Sequence, residues 1–546
     1  MRRLGHSGKI SALLATMTLI LAACSSQSPS PSASSAGSSA SPSASATSAR
    51  DDITVGLRVD VSTMDPYQFP DELSGGTLGK LIWENLVWIE FDSAGKVQYQ
   101  PLLATSWEKT APTQWTVELQ QGVTFSDGSP FTAEDVKYTF DRYSNPKISE
   151  GNVWAIEPWF KSVEVTGDYE VVFTTSYEMP DLFAWIAYAP KIVSKTAIEK
   201  AGQQDAQELT GDAAVGTGKF TLANYVKGEE VLLQRNDRYW GDPAKLKTIK
   251  FVPIPDDQAR IAALQTGQVD LITTVPPAQV AGLQSNTDLH VEVQASARYT
   301  YIWLNTLTAP FNNVKARQAV NYAVDVKAMS ESLFLGMDKP ADAPLAPSNF
   351  GYCPQTPYAF DPDKAKQLLT DAGLTQPVAV EFWSPQARYL QDREIATAVQ
   401  GYMNQAGFTV HLNLQEWGSL SKEIFVEQDQ YLKGEIASPT YNMLLISWGS
   451  QTLDADYALY PTFHSGQKYN LAYYKNSQVD KLLEDARTAS PADRLDLYCQ
   501  AQKLIWEDSP QLFLHIEPQI LAWKNGLQGV SILPFEHYLL QGASWK

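Results

Sequence analysis

Apolar and polar residues alternate with a period of two in ITVGLRV (53–59), QWTVELQ (114–120), VEVTGDYEVVFTT (163–175) and EVLLQRN (230–236). That spacing, with its β-branched content, predicts strands that bury one face. AEDVKYTFDR, QARIAALQTG, NVKARQAVNYAV, DPDKAKQLLTDAG and SQVDKLLEDARTA instead space their apolar residues three and four apart, which predicts helices. Thr132, Asp361 followed by Pro362, and Asn476 or Ser477 stand where helix N-caps belong, while QTG and DAG end on glycine as C-terminal caps do. Two longer β runs, HVEVQASARYTYIWLNT (290–306) and SPQLFLHIEPQILAW (509–523), lie far apart in the chain. The alternation of short strands and helices predicts a mixed α/β protein and excludes a helical bundle or a simple sandwich.

The N-terminus follows other rules. MRRLGHSGKISALLATMTLILAACSS has a basic start, an apolar run from Ile10 to Ala22, and Leu-Ala-Ala before Cys24. This is the layout of an export signal, and the run is too short for the roughly 30 Å of a bilayer core. Cys24 after Leu-Ala-Ala resembles the bacterial lipobox, in which the thiol is diacylated, so 1–23 is expected to be a lipoprotein signal peptide. Residues 24–50, nearly all Ser, Ala, Pro and Gly, have no large apolar side chain to bury and are expected to form a disordered tether. The expected location is the extracytoplasmic side of the cell membrane, held there by lipid.

About 500 residues remain, more than one core accommodates. The chain has 61 Asp and Glu against 42 Lys and Arg, which argues against nucleic acid as a partner. It also has 15 Trp and 25 Tyr, residues suited to pockets with apolar walls and polar rims. Cys353 and Cys499 are compatible with a disulfide or with two buried thiols. There is no phosphate-binding GxxxxGK[ST] loop, HExxH, CxxC or GxSxG, and the histidines share no ligand-like spacing. No metal or cofactor is expected. In SWGSQTLDADY (447–457), Asp454 and Asp456 lack the glycine and closing glutamate of a calcium loop. A carboxylate pair of a surface hydrolase remains an alternative reading of that stretch.

Three blocks carry a resemblance. GVTFSDGSPFTAEDVKYTFDR (122–142) is similar to a signature of the extracytoplasmic solute-binding proteins of the peptide/nickel class, which deliver ligands to ABC importers. GTGKFTLANYVKGEEVLLQRNDRYWGD (216–242), followed by IPDDQARIAALQTGQVDLI, resembles a second block, with Lys219 where a proline is usual. FNNVKARQAVNYAVD, PYAFDPDKAKQLLTDAG and FHSGQKYNLAYYKNSQVDKLLEDA form the third. The resemblance implies a two-lobed periplasmic-binding-protein-like fold with a ligand cleft and two hinge crossings: 51–290 with 512–546 as the larger lobe, and 291–511 as the second. It further implies a monomer that binds short peptides by hinge closure and works with membrane permeases. An oligosaccharide or opine-like solute is the alternative ligand.

In dipeptide and oligopeptide binders of this class a Trp is followed three residues later by an Asp that takes the ligand's amino group. Trp448 fits that Trp, but the third residue on is Gln451, so either Asp454 takes over or the ligand has no cationic end there. The expected ligand-binding residues are Glu72 and Ser74 from the larger lobe, Tyr301, Trp303 and Asn305 on one strand face, Arg388 as partner of a peptide carboxylate, Trp448, Gly449, Gln451 and Asp454, and Tyr469 with Asn470. The face of Tyr301, Trp303 and Asn305 fits equally well as core of the second lobe, and Arg388 equally well as a surface residue.

Overall fold

Each helical pattern named above closes into a helix at the expected place. In the computed structural model these are Ala133–Tyr143, Asp257–Thr266, Val314–Ala323, Pro362–Asp371 and Ser477–Thr488. The structure describes residues 50–546 except 62, 67–71, 92–96, 150–155, 157–158 and 207–208, together with the side chains of 72–75. The signal segment, Cys24 and the tether therefore lie outside the described residues.

Caps explain several boundaries. The Asp361 carboxylate accepts from the Lys364 N–H, Asn476 from those of Gln478 and Val479, and Gly267 ends its helix at φ 78°. In the FSDGSPFTAED block, Asp127 accepts from the N–H and hydroxyl of Ser129 to make the turn. Asp135 accepts from the N–H of Thr132 at 3.0 Å and that of Lys195 at 3.0 Å. The block is scaffold: it starts one helix and pins the start of another. The GTGKF block is also a packing device. A Cβ on Gly216 would sit 2.0 Å from the Ile82 carbonyl oxygen, and one on Gly218 would sit 2.4 Å from that of Leu81.

Strands assemble chiefly into one eleven-stranded sheet. Its order is Phe408–Glu416, Val378–Gln386, Met443–Gly449, Leu289–Leu304, Gln511–Lys524, Leu271–Ile272, Asp52–Leu57, Thr248–Pro253, Glu230–Arg235 and Phe220–Val226, with Lys339–Pro340 added beside Gln511–Lys524. VEVTGDYEVVFTT turns back at Asp168–Tyr169 and belongs to a separate four-stranded antiparallel sheet. The two long β runs pair antiparallel from Leu289↔Lys524 to Ala295↔Pro518, lose register, and resume from Tyr299↔Ile516 to Trp303↔Gln511. At the break, residues 296–298 stand opposite Glu517 alone, the arrangement of a bulge, which bends the strand that carries the extra residues. On one side of the break lies a core built around Val55, Trp83, Phe140 and Phe251, and on the other a core built around Trp303, Phe382, Leu444 and Tyr498. The fold is thus two-lobed, with both connections through this strand pair.

Cys353 and Cys499 are bonded, their Cα atoms 5.3 Å apart and 146 positions apart in sequence. Closing so long a loop restricts the unfolded chain, so the double substitution Cys353→Ser, Cys499→Ser is expected to lower stability by about 2–4 kcal/mol. Urea unfolding checks it, and a curve unchanged by the substitution would refute it.

Candidate functional site

The strand Met443–Gly449 carries Trp448 to the end of the sheet, and the chain then turns into helix Ala455–Phe463. Asp454 caps that helix, accepting from the Asp456 N–H at 2.9 Å. The loop between is held from both sides: the Phe350 N–H donates to the Leu453 carbonyl, the Ala455 N–H to that of Phe350, and the Ser450 N–H to that of Ala297 beside the break in the ladder. Rigid loops that present side chains from the end of a sheet are frequent ligand positions.

Trp448 is half-buried, with the Tyr469 ring at 5.0 Å and the Tyr457 ring at 5.9 Å. Behind this aromatic wall the polar groups are unusual. Ser450, Gln451 and Thr452 are each at most 1 % exposed. Among the described residues, neither hydroxyl of Ser450 and Thr452, and neither amide atom of Gln451, has a hydrogen-bond partner. Buried polar groups are nearly always satisfied, and an orphan amide costs about 1–3 kcal/mol. A small cavity adjoins Ser450, lined also by Tyr299, Tyr301, Trp448 and Gln511, with free space of about 10 Å³, on the order of one water. The Gln511 amide nitrogen is also unpartnered there, while its oxygen accepts from the Tyr299 hydroxyl at 3.0 Å.

Next to the wall, charges from both lobes meet. Arg494 donates to Asp454 at 2.8 Å and lies 3.8 Å from Asp181 of the larger lobe. Arg487 donates to Asp456 at 2.8 Å and stacks over Tyr177 of the larger lobe at 5.1 Å. Trp185 and Tyr188 pack on Tyr457 at 5.2 and 5.9 Å. The lobes are in contact here. One oxygen of Asp181 has no hydrogen-bond partner, and burial, then Asp454 and Asp456, push its carboxyl up to about 7. The folded form holds this proton above the pH at which the unfolded chain loses it. Asp181 therefore makes the folded protein lose stability as pH rises from about 4 to about 7. Asp181→Asn is expected to remove that slope and raise the melting temperature at pH 8, read from melting curves across the range; an unchanged slope would count against it.

The other residues expected at the site divide. Tyr301 lines the small cavity, whereas Trp303 is packed into the second lobe's core against Phe463. The Asn305 amide donates to Ser438 and to the Tyr441 carbonyl, so it closes a loop inside that lobe. The Asn470 amide donates to the His464 and Tyr474 carbonyls, which fixes the turn that presents Tyr469. Gly449 ends the strand, pairing with Arg298. Asp454 is committed to its helix and to Arg494. Arg388 is half-buried with its guanidinium 5.2 Å from the Tyr389 ring and 5.5 Å from the Trp417 ring. Glu72 and Ser74 fall in helix Glu72–Ile82, but their side chains lie outside the described residues. Ser450, Thr452, Gln511, Asp181 and Arg494 were not anticipated. The two hydroxyls flank Gln451 and were legible as small polar neighbours; the others come from distant segments. Among the described residues no group of three or more His, Cys, Asp or Glu is placed to hold a metal, and no helix is long and apolar enough to cross a membrane.

The family profile of the bacterial extracellular solute-binding proteins, family 5, matches residues 98–470. The chain belongs to this family. Family 5 proteins bind a solute for an ABC importer and do not transform it, so the chain is a binding protein and the hydrolase reading is set aside. It is similar to the glutathione-binding protein GsiB of Salmonella typhimurium, 29% identical over 509 residues, covering 91% of this chain and 95% of that protein. The Escherichia coli O157:H7 GsiB is 29% identical over 497 residues, covering 89% and 93%. Among solved structures, the dipeptide-binding protein of Pseudoalteromonas sp. SM9913 with Met-Leu superposes at a TM-score of 0.79, with 22% identity, over 91% of this chain and 100% of that one. NikA of Staphylococcus aureus with Ni(L-His)2 superposes at 0.73, with 20% identity and the same coverage. These two likenesses show the fold and nothing about ligand.

Proposed function

We propose that this family 5 protein captures a short peptide-like solute between its lobes and delivers it to an ABC importer, tethered to the outer face of the cell membrane through a diacylated Cys24. The observation that carries the ligand class is the Gln451 amide, buried with its donor and its acceptor both unused, between two unused hydroxyls. A side-chain amide of that kind complements a peptide group, offering N–H to its carbonyl and C=O to its N–H. The Trp448, Tyr457 and Tyr469 rings provide apolar contact for ligand side chains without imposing one sequence. Glutathione, named in the GsiB relatives, is a tripeptide.

The ladder break at 295–299 and 516–518 serves as the hinge, which would assign 51–295 and 518–546 to the larger lobe. Ligand would enter with the lobes apart, and closure of one lobe on the other would trap it. A solute without a free ammonium, such as a saccharide or opine-like compound, is the second reading. It is favoured by one fact: the position facing the ligand's amino end in peptide binders is the uncharged Gln451.

The test is a thermal-shift and calorimetric panel on protein stripped of ligand by unfolding and refolding. Glutathione, Met-Leu, a tetrapeptide and maltotriose are the probes. Peptides at about a hundred times their dissociation constant should stabilise by roughly 2.7 kcal/mol. Stabilisation by the saccharide alone would overturn the peptide reading.

A further inference from the structure

A second cavity, of about 440 Å³, lies wholly within the larger lobe, with no wall from residues 291–511. Its lining comes from the end of helix Glu72–Ile82 and the segment after it, from Lys219 and Tyr239, and from the C-terminal tail at 529–542. Its size lies in the usual range for a small-molecule pocket. The Trp448 wall does not reach it, and the proposed cleft does not use it.

One lining group stands out. Lys80 is 7% exposed; it lines the cavity with its ammonium 5.0 Å from the Trp88 ring, and among the described residues no hydrogen bond or ion pair engages that ammonium. Glu84, the buried acid of the cavity, is already engaged: one oxygen accepts from the Tyr239 hydroxyl at 2.8 Å, the other from Thr217 at 2.8 Å and Trp240 at 2.9 Å. Glu90 sits at the exposed rim. Lys219, the residue that departs from the family block, lines the same cavity with its ammonium 5.3 Å from the Tyr239 ring. A buried cation is normally paired, because an isolated one costs several kcal/mol. The Gln541 side chain adds a buried carbonyl oxygen with no partner, its nitrogen donating to the Lys80 carbonyl at 3.2 Å. Trp83, Trp88, Leu102 and Leu539 supply apolar wall.

We propose that this cavity is a second ligand site, taking a small organic anion whose carboxylate pairs with Lys80 and whose aromatic or apolar body lies along Trp83 and Trp88. A donor on the ligand would satisfy Gln541. Burial, and then the neighbouring Lys191, push the Lys80 ammonium down to about 7. An anion reverses that balance, because opposite charge favours the ammonium. The chain as a whole is acidic, with 61 Asp and Glu against 42 Lys and Arg, so a pocket with two lysines and one already engaged buried acid is a local exception.

The experiment uses the whole mature chain, with benzoate as probe and benzamide as its uncharged counterpart, followed by tryptophan fluorescence and calorimetry. Benzoate is expected to bind saturably with one-to-one stoichiometry, and benzamide at least tenfold more weakly. Lys80→Met should weaken benzoate at least tenfold while leaving cleft ligands unaffected, and Gln451→Leu should leave benzoate unaffected. Lys80→Arg, which keeps the charge, serves if the methionine variant does not fold, and should retain binding. Equal binding of benzoate and benzamide, no benzoate binding at millimolar concentration, no effect of Lys80→Met, or loss of benzoate binding in Gln451→Leu would each overturn the proposal. None of these results bears on whether the cleft takes peptides.

Discussion

Arg494→Met is expected to lower the unfolding free energy by about 3–5 kcal/mol, the largest single-residue effect foreseen here. Arg494 is 5% exposed in its side chain and Asp454 8%. Water therefore screens the pair little, and removing the guanidinium leaves a buried carboxylate with only the Asp456 N–H to hold it. Asp181, 3.8 Å away, loses its nearest cation as well. The same arginine donates to the Ala486 carbonyl and to the Tyr498 hydroxyl, so the substitution also frees a helix end. Methionine preserves most of the apolar stem, which keeps cavity formation a minor contribution. Adding Asp454→Asn should recover a good part of the loss, because the uncompensated charge is then gone. Urea unfolding of the two single variants and the double variant measures this. A loss below about 1 kcal/mol would place the pair with screened surface ion pairs and refute the argument.

Gln451→Leu is expected to move stability and binding in opposite directions. Two polar atoms now buried without partners are replaced by methyl groups of similar volume, so the ligand-free protein should gain about 1–3 kcal/mol. The same change removes the amide that meets the ligand, and affinity for peptide should fall by about a hundredfold, or roughly 2.7 kcal/mol. A purely structural glutamine predicts the reverse for stability, since its loss would then unmake contacts. Gln451→Asp is the companion variant. It should destabilise the ligand-free form by burying a carboxylate, and shift preference toward ligands with a free amino terminus. Melting temperature without ligand and calorimetric affinity with ligand, on the same preparations, separate the cases. Binding unchanged in both variants would remove Gln451 from the site.

Much of the scaffold was legible because its signals are local. Asp361 with Pro362, Asn476 and Gly267 are cap residues whose chemistry acts within one helical turn, and each ended or began a helix as read. The long runs at 290–306 and 509–523 were visible as strands, since β-branched and aromatic runs of that length leave few alternatives. What the runs could not express was their mutual register. The break at Ala295/Tyr299 depends on where residues 511–524 settle against 289–304, a matter of contacts across some two hundred positions.

The candidate site divides along the same line. Trp448 and Gln451 were found from one short stretch, because the motif that carries them is contiguous. Trp303 and Asn305 share a strand face with Tyr301, but period two cannot say whether a face looks into a cleft or a core; packing against Phe463 and the Tyr441 loop decided for core. Asp454 looked free to replace a missing acid until Arg494, forty residues on, was brought to it by helix packing. Asp181 and Lys80 were silent in sequence for the same reason: a charge is ordinary until its surroundings are dry and unpaired. By itself, then, the sequence determined the elements, the family and the chemical identity of the loop at Trp448, all of which rest on neighbours in the chain. Tertiary structure alone decided which polar groups are buried without partners, because burial depends on surfaces supplied by distant segments.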